Sequence, residues 1–208
     1  KEPRISQEAV GALYAPTCGI IGPWELAIAL AENAIDNGVE LFLNNTVEDI
    51  DQIQEGYRIT TNKKEIISKD IINCAGVFTD EVHNMVDKPS FKITPRRGQY
   101  YILDKSARGM VHNVVFQCPT KEKGKGVLVA PTVHGNVIIG SDAEDLEDKE
   151  ALETTSNRLQ YVRKTALNSF TNIPYHQTIT TFAGLRAEPD TGDFIIEEAK
   201  NAKGFINV

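Results

Sequence analysis

The sequence predicts an α+β fold, an α/β-type first part followed by a mostly antiparallel sheet with a long helix on its flank. Three observations carry this. A helix, a small meander and a buried strand follow one another before Pro89. Several strand-like runs then crowd residues 91–140 with no room for a helix. Finally a single apolar stripe, Leu152, Thr155, Leu159, Val162, Ala166 and Phe170, calls for a long helix before Pro174. Strands after one long helix make an α+β layer, divided near residue 89 into segments 1–89 and 90–208.

Each element has its own reason. Pro23 suits a first helical turn, where a missing N–H costs nothing. Residues 24–31 are good helix formers, apolar nearly all round, as a buried helix should be. Gly38 can close that helix, and Val39, Leu41 and Leu43 alternate as a strand does. Residues 57–61, the turn at Asn62 and residues 65–67 form a meander feeding the apolar Ile71-Ile72 strand. Phe78, Val82, Met85 and Val86 lie on one helical face. Beyond Pro89, strands are expected at 91–94, 99–103, 111–118, 126–130 and 136–140. Asp148 is placed to cap the long helix. Further strands are expected at 177–183, 193–196 and 205–208.

Composition narrows the function classes. With 41% hydrophobic and 25% charged residues, the 208-residue chain reads as an ordinary globular protein. A net charge of -7 leaves no basic surplus to neutralise phosphates, which argues against nucleic acid as a partner. No run approaches the roughly 18–20 apolar residues of a membrane span. Any membrane association would have to come from other segments. Cys18, Cys74 and Cys118 are odd in number and widely spaced, so reduced thiols and a cytoplasmic setting are expected. His83, His112, His134 and His176 are scattered and carry no metal-ligand spacing. No phosphate loop, C-x-x-C pair or nucleophile elbow is present. Lys1 at the start and Val208 within a strand-like run suggest a piece of something longer.

Three clusters remain. Gly19 to Pro23 frames the start of a helix and reads either as a tight turn or as a place where free N–H groups meet a ligand. Pro95-Arg96-Arg97-Gly98-Gln99-Tyr100 sets two arginines at a strand start, and reads either as one guanidinium for a cleft and one for solvent or as an exposed pair. Arg186 stands in the apolar and small-residue run Phe182 to Ala187, where its fork suits a carboxylate or phosphate. Glu188, Asp190 or Asp193 could equally be its internal partner.

Taken in order, the run Gly11 to Pro16, then Gly19 to Pro23, Asn44 to Val47, Ile72-Asn73-Cys74-Ala75-Gly76, Pro95 to Gln99, Gly135 to Gly140 and Gly184-Leu185-Arg186 resembles the interior of FAD-dependent oxidoreductases of the D-amino-acid-oxidase-like superfamily. The glycerol-3-phosphate dehydrogenase branch is nearest, with the 2-hydroxyglutarate oxidases close by. The resemblance implies FAD as cofactor, with Val47, Cys74, Ala75 and Gly76 in contact with it, and a substrate pocket marked by Arg186, Arg96 and Gly98. It also implies hydride transfer from a small anionic hydroxy substrate. Glycerol 3-phosphate is favoured, while a 2-hydroxy acid or an amino acid would satisfy the same arginine. A non-catalytic flavoprotein or assembly module that kept the fold is the alternative of another class. No catalytic residue or electron acceptor is assigned. The G-x-G-x-x-G unit that holds the pyrophosphate in such enzymes is absent from these residues. Alone, they are therefore expected to bind FAD poorly and not to turn over.

Overall fold

The computed structural model describes residues 2–119 and 126–208. In chain order the elements are α1 (Pro23–Asp36), β1 (Val47–Ile53), β2 (Gly56–Thr61), β3 (Glu65–Ser68), β4 (Ile71–Asn73), α2 (Thr79–His83), β5 (Ile93–Leu103), β6 (Leu128–Pro131), β7 (Val137–Gly140), β8 (Glu144–Asp145), α3 (Ser156–Ala166), β9 (Thr178–Pro189), β10 (Glu197–Glu198) and β11 (Phe205–Asn207). The fold is mixed α+β with mostly antiparallel sheets. Two compact units are interleaved along the chain, one from Lys1–Asn37, Arg97–Glu144 and Ala151–Gly184, the other from Gly38–Arg96, Asp145–Glu150 and Leu185–Val208. Strands β5 and β9 each begin in one unit and end in the other.

In the first unit, β6 and β7 form an antiparallel hairpin and β7 pairs with β5, Leu103 opposite Val137. The whole sheet runs β6-β7-β5-β8, with β9 also on β5. Leu103, Val129, Ile139 and Met110 pack with Val162, Ala166 and Phe170 from α3 and the turn after it. That is the lower half of the expected stripe. Its first two members, Leu152 and Thr155, lie outside the helix. Asp148 accepts only the amide of Glu150 in a local turn, and the helix begins after Thr155. The reason is that residues 145–150 belong to the other unit, where Lys149 is held by Asp80 and Glu81.

The second unit holds the meander β1-β2-β3 and a small sheet in which β4 runs parallel to β11, with β10 on its far side. Ile50, Tyr57, Ala199, Ala202 and Phe205 form its core, and the Tyr57 hydroxyl donates to the Lys203 carbonyl at 2.8 Å. Lys149 meets Asp80 at 2.6 Å where both side chains are nearly buried. Burial by itself would raise the Asp80 carboxyl, but the Lys149 ammonium and the amides of Ile93 and Glu81 outweigh it and hold the group below its ordinary range.

Several expectations are corrected. Residues 93–94 and 99–103 belong to one strand of 11 residues rather than two, and residues 91 and 92 lie outside it. It runs on through Pro95, whose carbonyl accepts from Leu146 while its missing N–H donates nothing. Residues 111–118 contribute a single bridge, Val115 with Val129. Residues 193–196 are irregular, and Val39 to Leu43 form no strand. Helix α1 exists, but none of its residues is buried. An all-round apolar helix needs a cover, and the described residues supply none. Among the described residues, no helix is long and apolar enough to cross a membrane.

Candidate functional site

The second unit concentrates the residues around the Asn73-to-Gly76 turn. Strand β4 ends at Asn73, a buried polar residue closing an apolar strand. Its amide donates to the Thr79 carbonyl at 2.9 Å and to Asn207 Oδ1 at 3.0 Å, while its own Oδ1 accepts the Ala75 amide. Asn207 in turn donates to His83 Nδ1 at 3.1 Å, and His83 Nε2 faces the Lys88 carbonyl and the Ser90 hydroxyl. The network makes Nδ1 the acceptor and leaves Nε2 to donate to the carbonyl. This buried chain of amide and imidazole groups fixes where the turn leaves the sheet.

Past that anchor, Cys74 is exposed, Ala75 is half-buried and Gly76 takes φ +60°. A Cβ built on Gly76 would meet no protein atom within 4 Å, so the space over this turn is open to something that approaches the backbone. A cavity of about 440 Å³ adjoins it, lined among others by Gly76, Ile93, Ala187, Pro189, Phe194 and Val208. Its wall is mostly apolar, with Thr79, Glu188 and Asp193 as its polar members, and Phe194 is 92% exposed. That surface suits a flat, largely apolar group with a polar tail near backbone N–H groups. An isoalloxazine fits this description. Val47 opens β1 in the same unit, half-buried against the Ile50–Tyr57 core.

Of the arginines, Arg186 lies on β9, exposed, immediately before Ala187, Glu188 and Pro189, which line the cavity. Alternation along the strand puts Arg186 and Glu188 on one face. Glu188 is taken by Arg96, whose Nη1 lies 3.0 Å from Oε1. Arg96 also meets Asp145 through Nε at 2.6 Å and Nη2 at 3.2 Å. The Asp145 hydrogen bonds, followed by the opposing effect of burial, leave the guanidinium with a raised pKa. Arg96 is thus committed to two carboxylates and reaches an incoming anion only by releasing one. Asp190 accepts the Lys92 amide, and Asp193 accepts the Phe194 amide.

Gly98 lies buried in the first unit, within a polar stretch of β5. Arg97 is buried and gripped by Glu144 at 2.8 Å and by Glu153. Gln99 exchanges hydrogen bonds with Thr155 and receives Asp142 on its amide. The two arginines of Arg96-Arg97 therefore take opposite faces, as alternation requires, and both are held by acids. Among the described residues no group of His, Cys, Asp and Glu could hold a metal ion. Sequence reasoning missed the cavity wall of Phe194, Ile93 and Val208. Its only signal was an apolar run, Phe194-Ile195-Ile196, directly after the turn residues Pro189 to Gly192.

Comparison with known proteins follows the geometry. Residues 1–208 match the DAO family, described as FAD dependent oxidoreductase. The chain belongs to that family. It is 57% identical over 207 residues to a glycerol 3-phosphate dehydrogenase of Caloramator mitchellensis, covering 100% of this chain and 43% of that protein. It is 32% identical over 218 residues to a glycerol 3-phosphate oxidase of Mycoplasma pneumoniae, covering 99% of this chain and 55% of the relative. The solved L-alpha-glycerophosphate oxidase of Mycoplasma pneumoniae, dithionite-reduced with FAD bound, superposes with a TM-score of 0.77 at 32% identity, over 86% of this chain and 48% of its own. The chain thus spans about half the length of the curated relatives it matches.

Proposed function

We propose that the protein is a flavin-dependent dehydrogenase or oxidase acting on a small anionic hydroxy substrate, glycerol 3-phosphate before all others. Family membership and the 57% identity to a glycerol 3-phosphate dehydrogenase support the reaction class and the substrate. Within the chain, one observation carries the reading. An exposed arginine, Arg186, stands on the strand whose next three residues line an open apolar cavity beside Gly76.

In this reading Cys74, Ala75 and Gly76 give FAD close approach to backbone, and the strand opened by Val47 meets the cofactor further along. Segment 1–89 is part of the cofactor domain and segment 90–208 the substrate domain. When bound, FAD accepts the hydride from the carbon that bears the substrate hydroxyl. The chain's own work is positional. Arg186 pairs with the phosphate through its fork and so fixes the carbon's distance and orientation. Arg96 screens Glu188, which would otherwise repel the same phosphate, and Gly98 belongs to the run of β5 assigned to the substrate domain. A 2-hydroxy acid would meet the same arginine through its carboxylate. The three free cysteines fit a reducing, cytoplasmic setting.

The test uses the full-length protein, purified with its flavin and held without oxygen. Glycerol 3-phosphate should bleach the flavin absorbance, with 2-hydroxyglutarate and glycine less effective, and Arg186→Ala should abolish the bleaching while the flavin stays bound. A flavin that none of these reduces would overturn the reading.

A further inference from the structure

The first unit carries a second concavity that the proposed reaction does not use. It has a volume of about 350 Å³, at the low end for small-molecule sites, and its lining includes Arg108, His112, Thr132, Val133, Gly135 and Asn136. Its floor is the turn between β6 and β7. That turn is rigid. The Gly135 amide donates to the Thr132 carbonyl, the Asn136 amide donates to Thr132 Oγ1 at 3.1 Å, and the Asn136 side chain is pinned to the Leu103 carbonyl at 3.0 Å. Gly135 takes φ +86°, and the Arg108 side chain lies across it, 3.6 Å from where a Cβ would stand.

Arg108 differs from five of its fellow arginines. Arg58, Arg96, Arg97 and Arg158 each sit in an ion pair, and Arg163 stacks on the Tyr175 ring at 4.6 Å. Among the described residues, no carboxylate lies within ion-pair distance of Arg108. The nearby acid, Glu2, is spent on the amides of His112 and Asn113 and the Asn113 side chain. A guanidinium on the wall of a concavity, with the Thr132 hydroxyl also in the lining, offers hydrogen-bond donors to an oxyanion. The other acid at this turn, Glu25, is paired with His134 at 2.7 Å.

We propose that this cavity binds the oxyanion group of a small metabolite, phosphate or carboxylate, with Arg108 as its anchoring cation. The site shares no residue with the one proposed for the substrate. It would let an anionic metabolite bind the protein without competing for Arg186.

The experiment is a nuclear magnetic resonance titration of the amide-labelled full-length protein, with inorganic phosphate in one arm and acetate in the other. Saturable shifts confined to the amides of residues 108–112 and 132–136 are expected from at least one anion, and which arm responds tells phosphate from carboxylate. Arg108→Ala should weaken that binding by roughly tenfold or more, as loss of a charge-assisted pair does, and Arg108→Lys should restore part of it. Arg186→Ala should leave these shifts unchanged, so failure here is separable from failure of the substrate reading. Flavin reduction should proceed normally in Arg108→Ala. Drift spread over the whole surface, or a saturable response that Arg108→Ala does not alter, would overturn the proposal.

Discussion

The Arg96 guanidinium lies 3.0 Å from the Glu188 carboxylate, and Glu188 stands two residues beyond Arg186 on the same face of β9. One arginine therefore neutralises the acid that would compete for the other. Removing Arg96 exposes a carboxylate on the face where an anionic substrate is proposed to dock. Arg96→Ala should raise the KM for glycerol 3-phosphate by roughly tenfold, the equivalent of about 1.4 kcal/mol. Adding Glu188→Gln should reverse most of that loss, whereas Arg186→Ala should cost roughly a hundredfold or more in kcat/KM and resist the same rescue. Steady-state kinetics of the four variants decide the matter. Equal KM values in Arg96→Ala and the double variant would sink the screening role.

Lys149 and Asp80 make a second test. Their side chains are 15% and 9% exposed, so truncating the lysine strands a carboxylate where water is scarce. Lys149→Ala should lower stability by roughly 2–3 kcal/mol, somewhat below a fully buried case because Ile93 and Glu81 still donate to Asp80. Lys149→Ala, Asp80→Asn together should be less damaging than Lys149→Ala alone. A urea titration of each variant supplies the numbers.

Only strong acid should loosen the 201 loop. Asp87 accepts the Asn201 side chain at 2.7 Å, the Asn201 amide at 2.8 Å and the Lys88 amide at 2.7 Å. Those bonds, the Asn201 side chain foremost, pull its pKa from 3.8 down to about 2. A carboxylate with a depressed folded pKa stabilises fully above its unfolded value and loses that contribution as pH falls through the folded one. The stability difference between wild type and Asp87→Asn should therefore be constant above about pH 5 and shrink between about pH 4 and 2. Urea midpoints measured at intervals across that window check it. A gap that stays constant down to the acid end would contradict the assignment.

Leu103 is fully buried at the end of β5 and belongs to the first unit's core with Val137 and Phe170. Leu103→Ala should cost about 3–4 kcal/mol, transfer and cavity terms together. Ile67, 62% exposed on β3, should tolerate the same truncation within about 0.5 kcal/mol. Thermal melts of both variants would show the contrast or refute it.

Which features were legible in the sequence follows from how local their causes are. The hairpin β2-β3 was readable because alternation and the Asn62 turn are set within a few residues; β1 was not, the alternation at Val39 to Leu43 having pointed to a strand that does not form. The apolar strand into Cys74-Ala75-Gly76 was readable for the same reason. The start of α3 was not, because Lys149 is held by partners nearly 70 residues away, Asp80 among them. Nor was the single course of β5, since Pro95 reads locally as a break while its carbonyl is used by Leu146. Arg186 stood out as a charge in small-residue surroundings. That Glu188 would be claimed by Arg96 required strands 92 residues apart to meet, and no local pattern records that.

The parallel pairing of β4 with β11 has a consequence for how the chain is made. Asn73 and Asn207 touch although 134 residues separate them. During synthesis β4 leaves the ribosome long before β11, its partner among the described residues. At roughly 5–20 residues per second, that wait lasts on the order of ten seconds. The second unit's core, with Phe205 and Ala202 at its centre, cannot close in the meantime. Vectorial translation thus leaves the β11-facing edge of β4 unpaired for that interval.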